Sequence, residues 1–166
     1  MKKTTYIQIT QPFRDNPQRA GVIYILNKIL SWLIVTSYVF LLLYYFCKKD
    51  NDLLLAVMVP FSSFIALSVF RYLVNRPRPY EKFGLAPVIP KDTVGKSFPS
   101  RHVFSAFIIA FTYLMWSPFW QVGIILTLVA VDIAIIRVIS GVHYISDVVC
   151  GVAVALTAAI VGYILL

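Results

Sequence analysis

Histidine, cysteine and acidic side chains are scarce in this chain. Its 166 residues include two histidines, two cysteines and seven Asp plus Glu. Cys47 and Cys150 lie in or beside apolar segments, and two cysteines so far apart match no metal-ligand spacing. They read as small buried apolar residues. The few carboxylates form no cluster of the kind that holds magnesium, so no metal is expected. No internal repeat or low-complexity tract is present, and no polar stretch is long enough for a soluble domain.

What is abundant is hydrocarbon. The chain is 60% hydrophobic with a mean hydropathy of +0.81, above the roughly 45–50% apolar content of soluble domains. The apolar residues fall into five blocks near 21–47, 53–74, 101–116, 120–139 and 143–166. A membrane-crossing helix needs about 20 mostly apolar residues. The expected fold is an all-α, polytopic transmembrane bundle of about five spans, forming one integral membrane domain over residues 1–166. Residues 1–20 are polar, with Pro12 and Pro17, and read as a short interfacial segment. The first apolar block is too long for a signal-peptide core, so no cleaved leader is expected.

Fifteen Lys plus Arg give a net charge of +8. Nucleic acid is not the expected partner, because the charges sit at membrane ends and in arginine-rich segments, where anionic head groups attract them. Residues 75–100 form the one long polar connection, and its prolines forbid a continuous helix. A connection longer than about 15 residues is usually functional or disordered, and this one reads as an active-site loop.

Three clusters carry candidate chemistry. Arg71 and Arg78 bracket the end of the second block. Ser100-Arg101-His102 opens the third. Arg137, His143 and Asp147 flank the turn between the fourth and fifth. With alternating spans, all three clusters reach the same membrane face. If the fifth helix includes His143 and Asp147, they share one face, and the carboxylate orients the imidazole while leaving its other nitrogen free. Arginine forks suit phosphate oxygens, and a helix start at Ser100 offers N–H groups to an anion. His102 is then placed to protonate a leaving oxygen. This set suggests phosphoryl chemistry on a lipid. Arg76 and Lys82 read as solvated loop charges or head-group contacts. Asp132 pairs with Lys28, lies in a polar cavity or caps packing, and is given no catalytic part. The aromatics Tyr38, Tyr44, Tyr45, Trp116, Trp120 and Tyr163 read as interfacial belt and packing residues.

These residues resemble the type 2 phosphatidic acid phosphatase superfamily, whose motifs are Lys-x6-Arg-Pro, Pro-Ser-Gly-His and Ser-Arg-x5-His-x3-Asp. Here they stand as Arg71-x6-Arg78-Pro79, Pro99-Ser100-Arg101-His102 and Ile136-Arg137-x5-His143-x3-Asp147. Arg71 replaces a lysine, Arg101 a glycine and Ile136 a serine. The resemblance implies that His143 attacks phosphorus and carries a phosphohistidine, that Asp147 orients it, and that His102 protonates the leaving group and then activates water. Arg71, Arg78, Ser100, Arg101 and Arg137 would hold the phosphate. It implies no cofactor, and a lipid phosphate substrate such as undecaprenyl diphosphate, phosphatidylglycerophosphate or phosphatidic acid. The soluble vanadium-dependent haloperoxidases share the fold, but the apolar blocks argue against that branch. A non-enzymatic lipid-phosphate binder or transport component and a histidine phosphotransferase stay open as alternatives. The resemblance implies a cell-membrane protein with an extracytoplasmic site, whereas the excess of Lys and Arg on the site's side would by itself place that side in the cytoplasm.

Overall fold

A computed structural model describes residues 1–91 and 93–165 of the chain. Helix α1 runs Lys3–Arg14, α2 Pro17–Lys48, α3 Asp52–Val74, α4 Pro79–Phe83, α5 Arg101–Trp116, α6 Trp120–Ile139 and α7 Ile145–Ile160, and a π-helical turn continues α7 over Val161–Leu165. Among the described residues there is no strand.

Local chemistry sets the boundaries. Asn16 caps α2 by accepting from the Arg19 N–H at 3.1 Å, and Pro17 stands where a helix has no use for an N–H. Lys49 closes α2 and Asn75 closes α3, both in the left-handed region (φ 54° and 40°). Pro77 then forbids resumption of the helix. Gly141, at φ 74°, makes the turn from α6 toward α7. A Cβ there would also come within 2.5 Å of the Tyr6 hydroxyl.

Four segments are long and apolar enough to cross a membrane: Pro17–Lys48, Asp52–Phe83, Trp120–Ile139 and Ile145–Leu165. Their outward faces expose large apolar side chains such as Phe40, Leu54, Phe61, Leu73 and Leu128, each more than half exposed. A water-soluble surface rarely carries such contiguous apolar area; lipid is its natural solvent. Helix α5 differs from the other four. It is 16 residues long, about 24 Å, against roughly 30 Å of hydrocarbon. It also packs against α2, α3, α6 and α7, and every side chain from Val103 to Tyr113 except Ser105 is buried. Its middle is therefore surrounded by protein in place of lipid.

Tyrosine hydroxyls join the helices. Tyr38 donates to the Ala56 carbonyl at 2.8 Å, Tyr45 to that of Trp116 at 2.8 Å and Tyr113 to that of Ser37 at 2.6 Å. Interhelical bonds of this kind are a main source of cohesion where lipid is as apolar as the core. Tyr38 and Tyr45, read from the sequence as belt and packing residues, thus take part in packing. Cys47 is exposed and Cys150 half-buried, so the expectation of two buried cysteines fails, plainly so for Cys47 in the last turn of α2.

Two boundaries differ from expectation. Helix α2 begins at Pro17, four residues before the first apolar block, because Asn16 supplies a cap. Helix α7 begins at Ile145, so His143 precedes it and does not share a helical face with Asp147. Asp132 is exposed on α6 and, among the described residues, makes no ion pair with Lys28.

Candidate active site

The ends of α3, α5 and α6, the loop from residue 75 to 100 and the turn before α7 enclose a pocket of about 200 Å³. Arg71, Arg78, Arg101, His102, Arg137 and His143 all line it. Ser100 and Asp147 are fully buried and do not line it. The sequence clusters therefore converge, with two members set behind the pocket wall.

Tertiary contacts hold each group in place. Arg71 donates from its two terminal nitrogens to the carbonyls of Pro99 and Lys96, tying α3 to the loop. Arg78 donates through Nε to the Gly95 carbonyl at 3.1 Å and through Nη1 to that of Val142 at 3.2 Å. The Ser100 N–H donates to the Asp147 carbonyl at 2.9 Å, which joins the start of α5 to α7. Gly151 allows this approach: a Cβ there would lie 2.9 Å from the Ser100 carbonyl oxygen. Ser100 occupies the N-cap position of α5, but its hydroxyl makes no capping bond and has no partner.

His143 is 3% exposed. Its Nδ1 faces Asp147 Oδ2 at 3.4 Å without a formed hydrogen bond, while the ring borders the pocket. Burial, helped by the charges of Arg78 and Arg137, lowers the imidazole pKa to about 4 against the opposing pull of Asp147. At neutral pH the ring is uncharged. Asp147 sits at the third position of α7, where its Oδ2 accepts from the Tyr144 N–H at 3.0 Å and from the Ser97 hydroxyl. Its Oδ1 accepts from Arg76 at 2.8 Å.

Arg76 therefore is not a solvated loop charge. It pairs with Asp147, donates to Ser146 Oγ at 2.9 Å and lies over the Tyr144 ring at 4.1 Å. Ser97 likewise escaped the sequence reading. Neither residue has a local signal, since their partner lies 50 or more positions away. Lys91 and Lys96 also line the pocket. Burial lowers the Lys91 ammonium pKa, and the surrounding arginines add to the effect. Lys82 is not among the lining residues. Among the described residues no three His, Cys, Asp or Glu side chains gather as metal ligands would.

This pocket offers dense positive charge, a buried neutral imidazole backed by a carboxylate, and a second imidazole. Such an arrangement can hold a phosphate and attack it. Residues 51–166 match the model of the PAP2 superfamily. The chain belongs to that superfamily, as a membrane-embedded phosphatase. In fold it is similar to LpxE of Aquifex aeolicus, with a TM-score of 0.73 and 21% identity over 96% of this chain and 92% of that one. It is also similar to a PAP2-type phosphatidylglycerolphosphate phosphatase of Bacillus subtilis, with a TM-score of 0.72 and 24% identity over 96% of this chain and 83% of that one. No curated protein matches the chain.

Proposed function

We propose that this protein hydrolyses a lipid phosphate monoester or diphosphate through a phosphohistidine. The observation that carries the reading is the buried His143, whose Nδ1 faces Asp147 at 3.4 Å while its ring borders a cavity walled by Arg71, Arg78 and Arg137 and shared with His102.

With Nδ1 turned to the carboxylate, Nε2 is the nucleophile. It attacks phosphorus as the P–O bond to the lipid breaks. The electron pair goes to the leaving oxygen, which takes a proton from His102, an imidazolium once the anionic phosphate lies among the surrounding cations. His102, now neutral, accepts a proton from water as that water attacks the phosphohistidine. Inorganic phosphate leaves and His143 is restored. Arg71, Arg78, Arg137 and the N–H groups of residues 101 and 102 cradle the transferring group, where preorganised donors act most strongly on developing charge, and Ser100, behind the pocket wall, sets the start of α5. Ser68 Oγ and Arg137 Nε, both on residues that line the pocket, are buried without partners. Such atoms cost about 1–3 kcal/mol each, and a phosphate oxygen would satisfy those at the pocket. The cations can supply the charge that a metal supplies in many phosphoryl-transfer enzymes.

The test is phosphate release by purified protein in detergent and EDTA, offered phosphatidic acid, phosphatidylglycerophosphate and an isoprenyl diphosphate. We expect release by wild type and a loss on the order of 10⁵-fold or more in His143→Ala. Bound lipid without release would favour a binding protein. Product transfer to an added alcohol in place of water would favour a phosphotransferase.

We place the site on the extracytoplasmic side of the cell membrane. Val94 lies in the active-site loop and is 78% exposed, and native Cys47 is exposed at the far end of α2. In intact cells an impermeant thiol reagent should label Val94→Cys and spare Cys47; the reverse pattern would place the site in the cytoplasm.

A further inference from the structure

A second cavity, of about 350 Å³, opens between α2, α3, α5 and α6. It is mainly apolar, bordered by Ile34 and Val35 of α2, Phe64 of α3, Ile109 of α5 and Ile133 of α6. Arg101 and His102 line both this groove and the phosphate pocket. From His102 to Ile109 the groove follows α5 for about 10 Å toward the membrane interior.

The junction has a direction. If His102 protonates the leaving oxygen, whatever that oxygen carries lies on the His102 side of the pocket, where the groove begins. At that point stands Arg101, which is exposed and has its guanidinium 5.5 Å from the centre of the Phe64 ring. Among the described residues it makes no ion pair or hydrogen bond. The family signature has glycine here, so this chain adds a cation on the leaving-group side. Arg71, Arg78 and Arg137 are already available to the transferred phosphate. Lys91 and Lys96 increase the positive charge of the same pocket. A monoester with an uncharged alcohol leaving group gives Arg101 no anion to meet.

We propose that Arg101 binds a second phosphate, the one that departs with the lipid, and that the substrate is a lipid diphosphate whose hydrocarbon chain lies in the α2–α3–α5–α6 groove. This inference rests on the histidine phosphatase reading above. His143 Nε2 forms a bond to the terminal phosphorus as the bond from that phosphorus to the bridging oxygen breaks. The bridging oxygen keeps the electron pair and leaves as part of a lipid monophosphate. Arg101 meets the added charge and His102 supplies the proton. Water then completes the cycle as before. Guanidinium suits this role because its fork meets phosphate oxygens in pairs, which an ammonium does not.

The experiment compares kcat/KM for an isoprenyl diphosphate, phosphatidylglycerophosphate and phosphatidic acid in wild type, Arg101→Met and Arg101→Lys. A charge-assisted contact is worth about 10- to 100-fold. We expect Arg101→Met to lower the ratio of diphosphate to phosphatidic acid turnover by that factor, and Arg101→Lys to restore part of it. Val35→Trp, which fills the groove from its lipid edge, should raise KM for a long-chain diphosphate more than for a short-chain one. Thr157→Trp, in the separate groove between α3 and α7, should change neither. Equal losses on all three substrates in Arg101→Met, a selective loss on phosphatidylglycerophosphate, or chain-length sensitivity in Thr157→Trp and not in Val35→Trp would overturn the inference alone. Wild-type protein inactive on every lipid would overturn the histidine phosphatase reading and this inference with it.

Discussion

The two histidines occupy opposite kinds of surroundings. His143 is buried, and the carboxylate behind it is held by Arg76, Ser97 and the Tyr144 N–H. His102 is exposed at the first turn of α5, where the phosphate pocket meets an apolar groove. One side of the pocket is fixed by a buried network and the other is open. In the reading proposed here the difference follows the chemistry. The phosphoryl group is the same in every substrate and can be met by a rigid surface. The leaving group varies, and the surface that meets it has room.

Breaking the rigid side should cost most. Asp147→Asn removes the charge that Arg76 and Ser97 hold and unsettles the imidazole tautomer. By analogy with other His–carboxylate pairs we expect a loss of ~10⁴-fold in kcat, measured as phosphate release with protein content checked by gel filtration. On the open side, His102→Ala should cost about 10²- to 10⁴-fold on phosphatidic acid, the usual range for a general acid. The loss should be smaller on an isoprenyl diphosphate, whose departing phosphate needs the proton less. Equal losses on both substrates would dissolve the contrast between the two sides.

Arg76→Met sharpens the comparison through pH. The His143 pKa lies near 4 with Arg76 in place. Removing that cation leaves Asp147 better able to stabilise an imidazolium, so the pKa rises. The acid limb of kcat/KM should then move to higher pH, with a loss at neutral pH of about tenfold or less. An unmoved limb would make Arg76 a packing residue only. Stability should vary in the same region. The unfolded chain protonates this histidine near pH 6.5, whereas the folded chain resists down to about 4. Between those values the unfolded state binds more protons, so acidification should lower the melting temperature. His143→Gln should flatten that dependence. The smallest effect is expected from Gly151→Ala, whose Cβ presses on the Ser100 carbonyl. Overpacking of this kind costs about 1–3 kcal/mol, read as a lower melting temperature with the catalytic groups intact.

The spans and the convergence of the three clusters were legible because hydrophobic blocks and helix parity are local and countable. Helices α5 and α6 begin and end where Ser100, Ser117-Pro118 and Ser140-Gly141 place them. The role of Arg76 was not legible. Nothing beside it in sequence separates a partner of Asp147 from a head-group contact, and the pair forms only when the loop packs on the start of α7. The start of α7 was missed for a related reason. Apolar continuity runs through Val142 and Tyr144, whereas the backbone delays the helix so that Asp147 can receive the Tyr144 N–H. The groove beside His102 was hidden too, because it is space between four helices and belongs to none of their sequences.

Tyr6, fully buried in the first helix, packs beside Gly141, with its hydroxyl 3.4 Å from that residue's carbonyl oxygen across 135 positions of sequence. The turn that carries His143 is thus seated on the earliest helix, and its carboxylate partner follows that turn. During synthesis most of the bundle has entered the membrane before either group exists. Contacts of such long range form late. The chain therefore has a built-in order of events, in which α1 to α6 are made before the turn that carries His143 and the last span follows it.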